Sequence, residues 1–456
     1  MPELFEPLYS ADEMRAAEAL YPGYPGTAPE LMERAGAAVA EQVVLRHPDA
    51  RRVTAVCGGG ANGGDGRIAA SLLAGRGLDV TVVDASEGGY LGDPDVIVDA
   101  LFGTGFRGEP RPEAAALVEA MNAAGAPVVA VDIPSGVNAS TGEVVGAAVR
   151  AALTVTFHGR KVGLAVAPGR FHAGEVVVAD IGLEPAETRH RLVTRAVLGL
   201  VPRRGAADNK YTAGSVLVVG GSPGLTGAIC LAAEAAFRAD AGYVTVAAPP
   251  ASLPVLEARL LEAVKRPLDE VEEAAARAGA LALGPGLGRG PETPVLVRRL
   301  LTGLRLPAVV DADGLFGLEP FQRGGPTVLT PHAGELGRLI GEDSAWVGAH
   351  RLEAVERAAA RFGCVVLLKG ADTLVAAPGD GVLVCAFGPP SLATAGTGDV
   401  LTGVVAAFLA KGVEARLAAA AAAAAHGLAA AAVPEQAGLI ASDVIRELPR
   451  VLDASL

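Results

Sequence analysis

Along the first third of the chain, short runs rich in β-branched and other apolar residues alternate with Ala-rich stretches that suit helices. The runs Arg52–Cys57, Val80–Val83, Val96–Asp99, Val128–Asp132, Leu153–Phe157 and Glu175–Ala179 predict strands, and stretches such as Ala114–Ala124 predict the helices between them. Apolar strands separated by helices imply a parallel sheet covered on both faces. Around Arg195–Ala213 the pattern lapses. Pro202-Arg203-Arg204-Gly205-Ala206-Ala207-Asp208-Asn209-Lys210 is polar and turn-prone and reads as a linker. A second series follows, with strands expected at Ser215–Val219, Tyr243–Ala247, Leu281–Leu283, Ala308–Asp311, Thr327–Leu329, Val365–Leu368, Thr373–Val375 and Val382–Cys385. The halves carry different glycine motifs and no fixed-period repeat relates them. The pattern therefore predicts two distinct α/β domains, 1–193 and 194–456.

Composition narrows the classes. Hydrophobic residues make up 51% of the 456 positions and charged residues 20%, which supports buried cores and excludes a disordered chain. The net charge of −13, with no basic run, argues against nucleic acid or an anionic membrane as a general partner. Cys57, Cys230, Cys364 and Cys385 are far apart and form no C-x-x-C pair, so free thiols are expected rather than a zinc site or a disulfide framework. The alanine tract around Leu417–Val433 is broken by His426 and Gly427. Alanine favours helix but is weakly hydrophobic, so the tract reads as a packed internal helix and not a membrane span. The opening Met1–Glu6 lacks the basic-then-apolar pattern of a signal peptide, and a cytoplasmic protein is expected. Its many Ala/Gly positions suit close self-association, so a homo-oligomer is expected as well.

Candidate chemistry gathers at strand ends, where open α/β sheets bind ligands. In the first half these are Gly58–Gly66, then Asp99-Ala100-Leu101-Phe102-Gly103-Thr104-Gly105-Phe106, then Asp132-Ile133-Pro134-Ser135-Gly136-Val137. Oxygen donors from Asn62, Asp99 and Ser135, with backbone carbonyls, suit a hard cation, and Asp132 can act as acid or base. Asp and Asn in such places also cap helices and hold turns. In the second half Ala395-Gly396-Thr397-Gly398-Asp399 runs straight into an apolar helix. Glycines at a helix start let backbone N–H groups approach a phosphate, and a carboxylate beside them can take a proton from a hydroxyl. Upstream stand Lys210–Gly214, Gly220-Gly221-Ser222-Pro223-Gly224 through Ala228, Gly284-Pro285-Gly286-Leu287-Gly288, Thr330-Pro331-His332-Ala333-Gly334-Glu335 and Lys369-Gly370-Ala371-Asp372-Thr373. Lys369 ends an apolar strand, where a buried ammonium needs an anion, and a nucleotide phosphate would serve.

These motifs carry two resemblances. Leu31-Met32-Glu33-Arg34-Ala35-Gly36, the Asn62–Gly66 loop, Asp99–Phe106 and Asp132–Val137 resemble the NAD(P)H-hydrate epimerase family over nearly all of residues 1 to about 193. The resemblance implies a Rossmann-like parallel sheet, a potassium ion (K+) held by Asn62, Asp99 and Ser135, and Asp132 as catalytic acid–base. It implies a substrate cradle from Ala61, Asn62, Gly63, Gly64 and Asp65 with Gly103, Thr104, Gly105, Phe106, Arg107, Gly108 and Glu109. The family commonly has asparagine where this chain has Ala61.

The second half resembles the ADP/ATP-dependent NAD(P)H-hydrate dehydratase family, a branch of the ribokinase-like superfamily, over roughly 194–456. That resemblance implies that Ala228, Gly286, His332, Ala333, Gly334, Glu335, Leu336, Gly337 and Arg338 contact the hydrated dinucleotide. Lys369, Gly370, Ala371, Asp372, Thr373 and Gly398 would contact ADP, Asp399 would be the base, and Mg2+ would neutralise the phosphates. Where the family usually shows Gly-Asn-Pro-Gly-Met, this chain has Gly388-Pro389-Pro390-Ser391-Leu392. That removes one asparagine contact and asks Ser391 for a conformation glycine usually supplies. Both families in one chain, in this order, resemble the bifunctional NAD(P)H-hydrate repair family.

The implied substrates are the NADH and NADPH hydrates, which carry a hydroxyl on ring carbon 6 in two epimers. Asp399 would take the hydroxyl proton as the terminal phosphoryl of ADP transfers to that oxygen. Phosphate would then leave, restoring NAD(P)H and giving AMP. Asp132 would interconvert the epimers. The residues also suit a ribokinase-like kinase of a small alcohol, and the first domain could be a binding module without catalysis.

Overall fold

The computed structural model describes residues 3–86 and 90–454. The chain forms two compact units. One holds Pro7–His190 and Gly348–Leu352; the other holds Arg191–Val347, the chain from Glu353 onward and the segment up to Glu6. The boundary expected at 193/194 falls at the end of a strand, His190–Val193.

The N-terminal unit contains β1 (Phe5–Tyr9), β2 (Arg52–Cys57), β3 (Asp79–Asp84), β4 (Val96–Ala100), β5 (Val128–Val131), β6 (Leu153–Phe157), β7 (Arg160–Lys161) and β8 (Glu175–Ala179). Its main sheet is wholly parallel in the order β3-β2-β4-β5-β6-β8. Both faces are covered, as the strand alternation requires. Val53, Ala55 and Cys57 join Val96, Val98 and Ala100 in one core, with Val39 and Val43 of the helix Ala28–Arg46 and Leu73 of the helix Ala61–Gly75. The intervening Val56 and Ile97 face the other core with Leu117, Val118 and Met121 of the helix Pro112–Ala123. The short strands β1 and β7 pair in parallel, with Leu8 opposite Arg160 and Tyr9 opposite Lys161.

The C-terminal unit contains β9 (His190–Val193), β10 (Ser215–Val219), β11 (Tyr243–Ala248), β12 (Val264–Pro267), β13 (Ala280–Leu283), β14 (Ala308–Val310), β15 (Thr327–Leu329), β16 (Val365–Leu368), β17 (Thr373–Ala376) and β18 (Leu383–Cys385). The order is β12-β11-β10-β13-β14-β15-β16-β17-β18-β9. Pairing is parallel from β12 to β16, and β17 runs antiparallel to both its neighbours. The segment Lys369–Asp372 is therefore the turn of a hairpin. Val216, Val218, Ala280 and Ala282 enter a core shared with the helices Thr226–Arg238, Thr397–Ala410, Ala415–Ala432 and Ala441–Asp453. Leu217, Val219, Leu281 and Leu283 alternate with them and are fully buried on the opposite face.

By length and composition the helix Ala415–Ala432 could cross a membrane, but Ala418–Ala425 all lie in the C-terminal core. The four cysteines are free thiols. Small residues set the helix spacing. A Cβ at Gly403 would stand 2.1 Å from the Ala232 carbonyl oxygen and 2.9 Å from the Ala235 Cβ, so the helices Thr397–Ala410 and Thr226–Arg238 touch backbone to side-chain stem. Gly403→Ala is expected to lower stability by about 1–3 kcal/mol through overpacking. Gly303→Ala, where an added Cβ meets nothing within 4 Å, is expected to be neutral or stabilising. Thermal unfolding of the two variants checks the contrast.

Candidate active sites

The N-terminal site lies where β2, β4 and β5 end. The helix after β2 starts at Ala61, so Ala61, Asn62, Gly63, Gly64 and Asp65 form its first turns and not a loop before it. The glycines there serve close approach. A Cβ at Gly63 would sit 1.9 Å from the Gly58 carbonyl oxygen, one at Gly64 2.0 Å from Met32 Cε, and one at Gly66 2.3 Å from Ala100 Cβ.

Asp99 is fully buried at the end of β4. It accepts from the Ser135 N–H (2.8 Å), the Ser135 hydroxyl (2.6 Å) and the Leu101 N–H (3.2 Å). The Asn62 amide donates to the Phe102 carbonyl at 2.8 Å, and the Phe102 N–H donates to Ser135 Oγ at 2.8 Å. Asn62, Asp99 and Ser135 are thus joined through the main chain of one turn. Burial pushes the Asp99 carboxyl up to about 6 against those hydrogen bonds. A buried carboxylate among neutral oxygen donors, with no ammonium or guanidinium on it, is the donor set a monovalent cation takes. The three residues fit K+.

Asp132 follows β5 with φ +66°, a left-handed backbone that Asp tolerates better than most residues. Its Oδ1 meets Lys161 Nζ at 2.5 Å and accepts from the Thr156 hydroxyl at 3.0 Å and the Phe157 N–H at 3.3 Å. Lys161 is fully buried, and its ammonium also donates to Thr156 Oγ1 (3.0 Å) and the Phe157 carbonyl (2.8 Å). The sequence did not mark Lys161 as a site residue. Its pairing depends on the two-residue β7, which no hydrophobic pattern marks. The loop from Gly103 to Glu109 stays largely exposed at Gly105, Arg107, Gly108 and Glu109, while Phe106 stacks on Phe102 at 4.5 Å.

In the C-terminal site two glycine loops interlock. The Gly221 N–H donates to the Pro285 carbonyl (3.0 Å) and the Ser222 N–H to the Gly286 carbonyl (2.7 Å). Gly286 has φ +62°, and a Cβ on it would stand 2.3 Å from the Leu225 carbonyl oxygen. This places Gly286 beside the start of the helix that carries Ala228. His332 caps the helix Ala333–Ile340. Its Nδ1 accepts from the Gly334 N–H at 3.0 Å, and Glu335 closes the capping box through the His332 N–H at 2.9 Å. Burial pushes the His332 imidazole below its ordinary range.

The helix Thr397–Ala410 begins after Gly396, whose φ is +89°, and no side chain caps it. Its first N–H groups are left for an anion. Gly398 stands over the Lys369 ammonium, 3.4 Å from a Cβ built on it. Lys369 pairs with Asp311 Oδ1 at 2.7 Å and approaches Glu335 at 3.9 Å; Thr402 donates to Asp311 Oδ2 at 2.7 Å. The Asp311 carboxylate is thus one anion on Lys369, beside the nucleotide phosphate that the sequence suggested. Burial works to lower the Lys369 pKa, and the Asp311 and Glu335 charges outweigh it, so it is raised. Asp399 is pushed up to about 7, first by burial and then by the Asp311 charge. Gly370 and Ala371 lie exposed in the hairpin turn, with Asp372 buried and Thr373 opening β17.

Ser391 does not adopt a glycine-like conformation. It sits in the short helical turn Pro390–Leu392, outside the left-handed region, and donates to Gln436 Oε1 at 2.6 Å. The left-handed residue of that loop is Gly388, with φ +110°, packed on Gly427. Asp311, which directly follows β14 as Asp132 follows β5, was not among the expected site residues. The same strand-end argument would have found it. His426 was noted only as a break in the alanine tract. It is buried with its Nε2 unpartnered, and burial, against a bond to the Thr397 main chain, pushes it down to about 4.

The comparisons agree with this geometry. A family model described as NAD(P)H-hydrate dehydratase matches residues 216–450, and one described as YjeF-related protein N-terminus matches 28–89 and 84–163. The crystal structure of the ADP/ATP-dependent NAD(P)H-hydrate dehydratase from Bacillus subtilis, co-crystallised with ATP and magnesium, matches with a TM-score of 0.54 and 30% identity, over 58% of this chain and 98% of that one. A ribokinase-like superfamily protein from Enterococcus faecalis, at 23% identity, has the same fold with a TM-score of 0.53. The C-terminal unit is thus ribokinase-like. The bifunctional NAD(P)H-hydrate repair enzyme Nnr of Moorella thermoacetica is 40% identical over 92% of each chain. That of Escherichia coli is 34% identical over 98% of this chain and 94% of its own. This chain belongs to the bifunctional NAD(P)H-hydrate repair enzyme family.

Proposed function

We propose that the chain restores hydrated nicotinamide dinucleotides, interconverting the two epimers of NADH and NADPH hydrate in the unit 1–193 and dehydrating the hydrate in the unit 194–456. The observation that carries the reading is Asp399, a carboxyl tuned near neutrality at an uncapped helix start beside a lysine held by Asp311. Hydroxide leaves poorly at neutral pH, so the hydroxyl must first become a better leaving group. Asp399 takes the hydroxyl proton, the oxygen attacks the terminal phosphorus of ADP, and AMP departs. The ring-nitrogen lone pair then expels phosphate as a C=N+ bond forms, and loss of the proton on the neighbouring carbon 5 to solvent restores the ring double bond. The first N–H groups of the helix after Gly396 neutralise charge on the moving phosphoryl group. Mg2+, when bound, would supply further charge neutralisation on the phosphates, and the Asp311 carboxylate of this site would help to hold it.

In the N-terminal unit Asp132 moves the proton at the hydroxyl-bearing centre, oriented by Lys161. K+, held by Asn62, Asp99 and Ser135, would fix the turn that carries the substrate cradle. This reading puts the enzyme in the cytoplasm with its soluble cofactor substrates, and expects a homo-oligomer, which light scattering measures. The test mixes the protein with purified epimers of NADH hydrate, magnesium and ADP or ATP and follows reduced-nicotinamide absorbance. Full recovery of both epimers with ADP supports the reading. A stable phosphorylated product would replace it with a small-alcohol kinase.

A further inference from the structure

We propose that Asp65 is the second proton-carrying group of the N-terminal site, the acid that acts with Asp132 as base on the hydroxyl-bearing carbon of the hydrate. The inference rests on the epimerase reading and adds to it a division of labour between two carboxyls.

Asp65 sits between Gly64 and Gly66, where an added Cβ would stand 2.0 Å from Met32 Cε and 2.3 Å from Ala100 Cβ, so the helix is closely packed on both sides of it. It is only 8% exposed, and its carboxyl makes no hydrogen bond or ion pair among the described residues. Every other buried carboxyl of this unit is engaged: Asp99 by Ser135 and Leu101, Asp132 by Lys161, Thr156 and Phe157. Asp65 does not cap its helix either, because Gly60 is the N-cap. The charged groups facing it are Asp132 after β5, Glu18 of the helix Ala11–Ala19 and Lys161 of β7. Two of those three are carboxyls, and Lys161 is taken by Asp132.

A buried carboxyl without a partner is costly as an anion and keeps its proton. Burial, then the Asp132 and Glu18 charges, push Asp65 up to about 8, with Lys161 opposing. Asp65 is then a proton donor at neutral pH beside an ion-paired carboxylate. A buried carboxyl that keeps its proton next to a carboxylate held in an ion pair supplies an acid where the other supplies a base. Asp65 gives its proton to the hydroxyl oxygen. The C6–O bond breaks, its electron pair leaves with the oxygen as water, and the ring-nitrogen lone pair forms the C=N+ bond. A water adds to the opposite face and gives a proton to Asp132. Exchange with solvent returns a proton to Asp65 and removes one from Asp132, so nothing is consumed.

The experiment uses the full chain and follows interconversion of purified epimers by chromatography without ADP, with ADP-driven dehydration as a check of folding. For Asp65→Asn, kcat of interconversion is expected to fall about 100-fold or more with KM within a few-fold of wild type. Wild-type kcat should decline as pH rises through about 8, and that limb should be missing from the variant. Asp65→Glu should recover part of the rate, and turnover in 18O-water should place solvent oxygen in the product. A raised KM with unchanged kcat would make Asp65 a binding residue only and overturn the proposal, as would an unlabelled product. A wild type no faster than buffer would overturn the epimerase reading itself; a fast wild type with an equally fast Asp65→Asn would overturn this proposal alone.

Discussion

Asp399→Asn is expected to lower ADP-driven dehydration about 1,000-fold, within the range general-base removal produces, while epimer interconversion stays at the wild-type rate. Asparagine keeps the shape of the side chain and the uncapped helix start but cannot accept the hydroxyl proton. Binding of ADP should change little, because the N–H groups after Gly396 and the Lys369 ammonium are untouched. The pH dependence follows from the sign of the shift. Asp399 is raised to about 7, and only its deprotonated form is a base, so dehydration should rise with pH through about 7 and level off above it. Neutralising Asp399 also removes its repulsion with Asp311, so the variant should unfold at the same temperature or higher. Phosphate release and recovery of reduced-nicotinamide absorbance read the loss. Dehydration within tenfold of wild type would remove Asp399 from the role of base.

Much of this was legible because the signals are local. The strands from β2 to β6 and β8 are apolar runs bounded by helix-forming stretches, and their ends named Asn62, Asp99, Asp132 and Ser135 without knowledge of the packing. Ala395–Asp399 announced itself in five residues. What stayed hidden depends on chain segments far apart. Lys161 reaches Asp132 because β6 lies beside β5 and Lys161 folds back onto Thr156 and Phe157, and the two-residue β7 leaves no period to detect. Lys369 and Asp311 are 58 positions apart and meet only because β14, β15 and β16 lie side by side. β12 reads Val-Lys-Arg-Pro and is a strand by pairing with β11, not by hydrophobicity. The Ser391 expectation failed because a family pattern gave the position of glycine, whereas the loop here takes its left-handed turn at Gly388.

The pair Asp132–Lys161 separates stability from catalysis most sharply. Asp132→Asn is the informative change, because asparagine tolerates the φ of +66° that alanine would strain. It leaves the ammonium of the fully buried Lys161 facing neutral partners only, Thr156 Oγ1 and the Phe157 carbonyl. Breaking one side of a buried pair costs about 3–5 kcal/mol. Lys161→Met should cost less, because Asp132 keeps the Thr156 hydroxyl and the Phe157 N–H as donors. The double variant removes both charges, so its loss should fall short of the sum of the single losses by more than about 1 kcal/mol, the mark of coupled residues. Denaturant unfolding of the four proteins reads that cycle. Epimer interconversion should be lost in both variants that lack Asp132, including the double one that regains stability, because restoring the fold restores no proton carrier. A double variant that regains both stability and epimerisation would make the pair a structural strut, and the base would have to be sought elsewhere in the site.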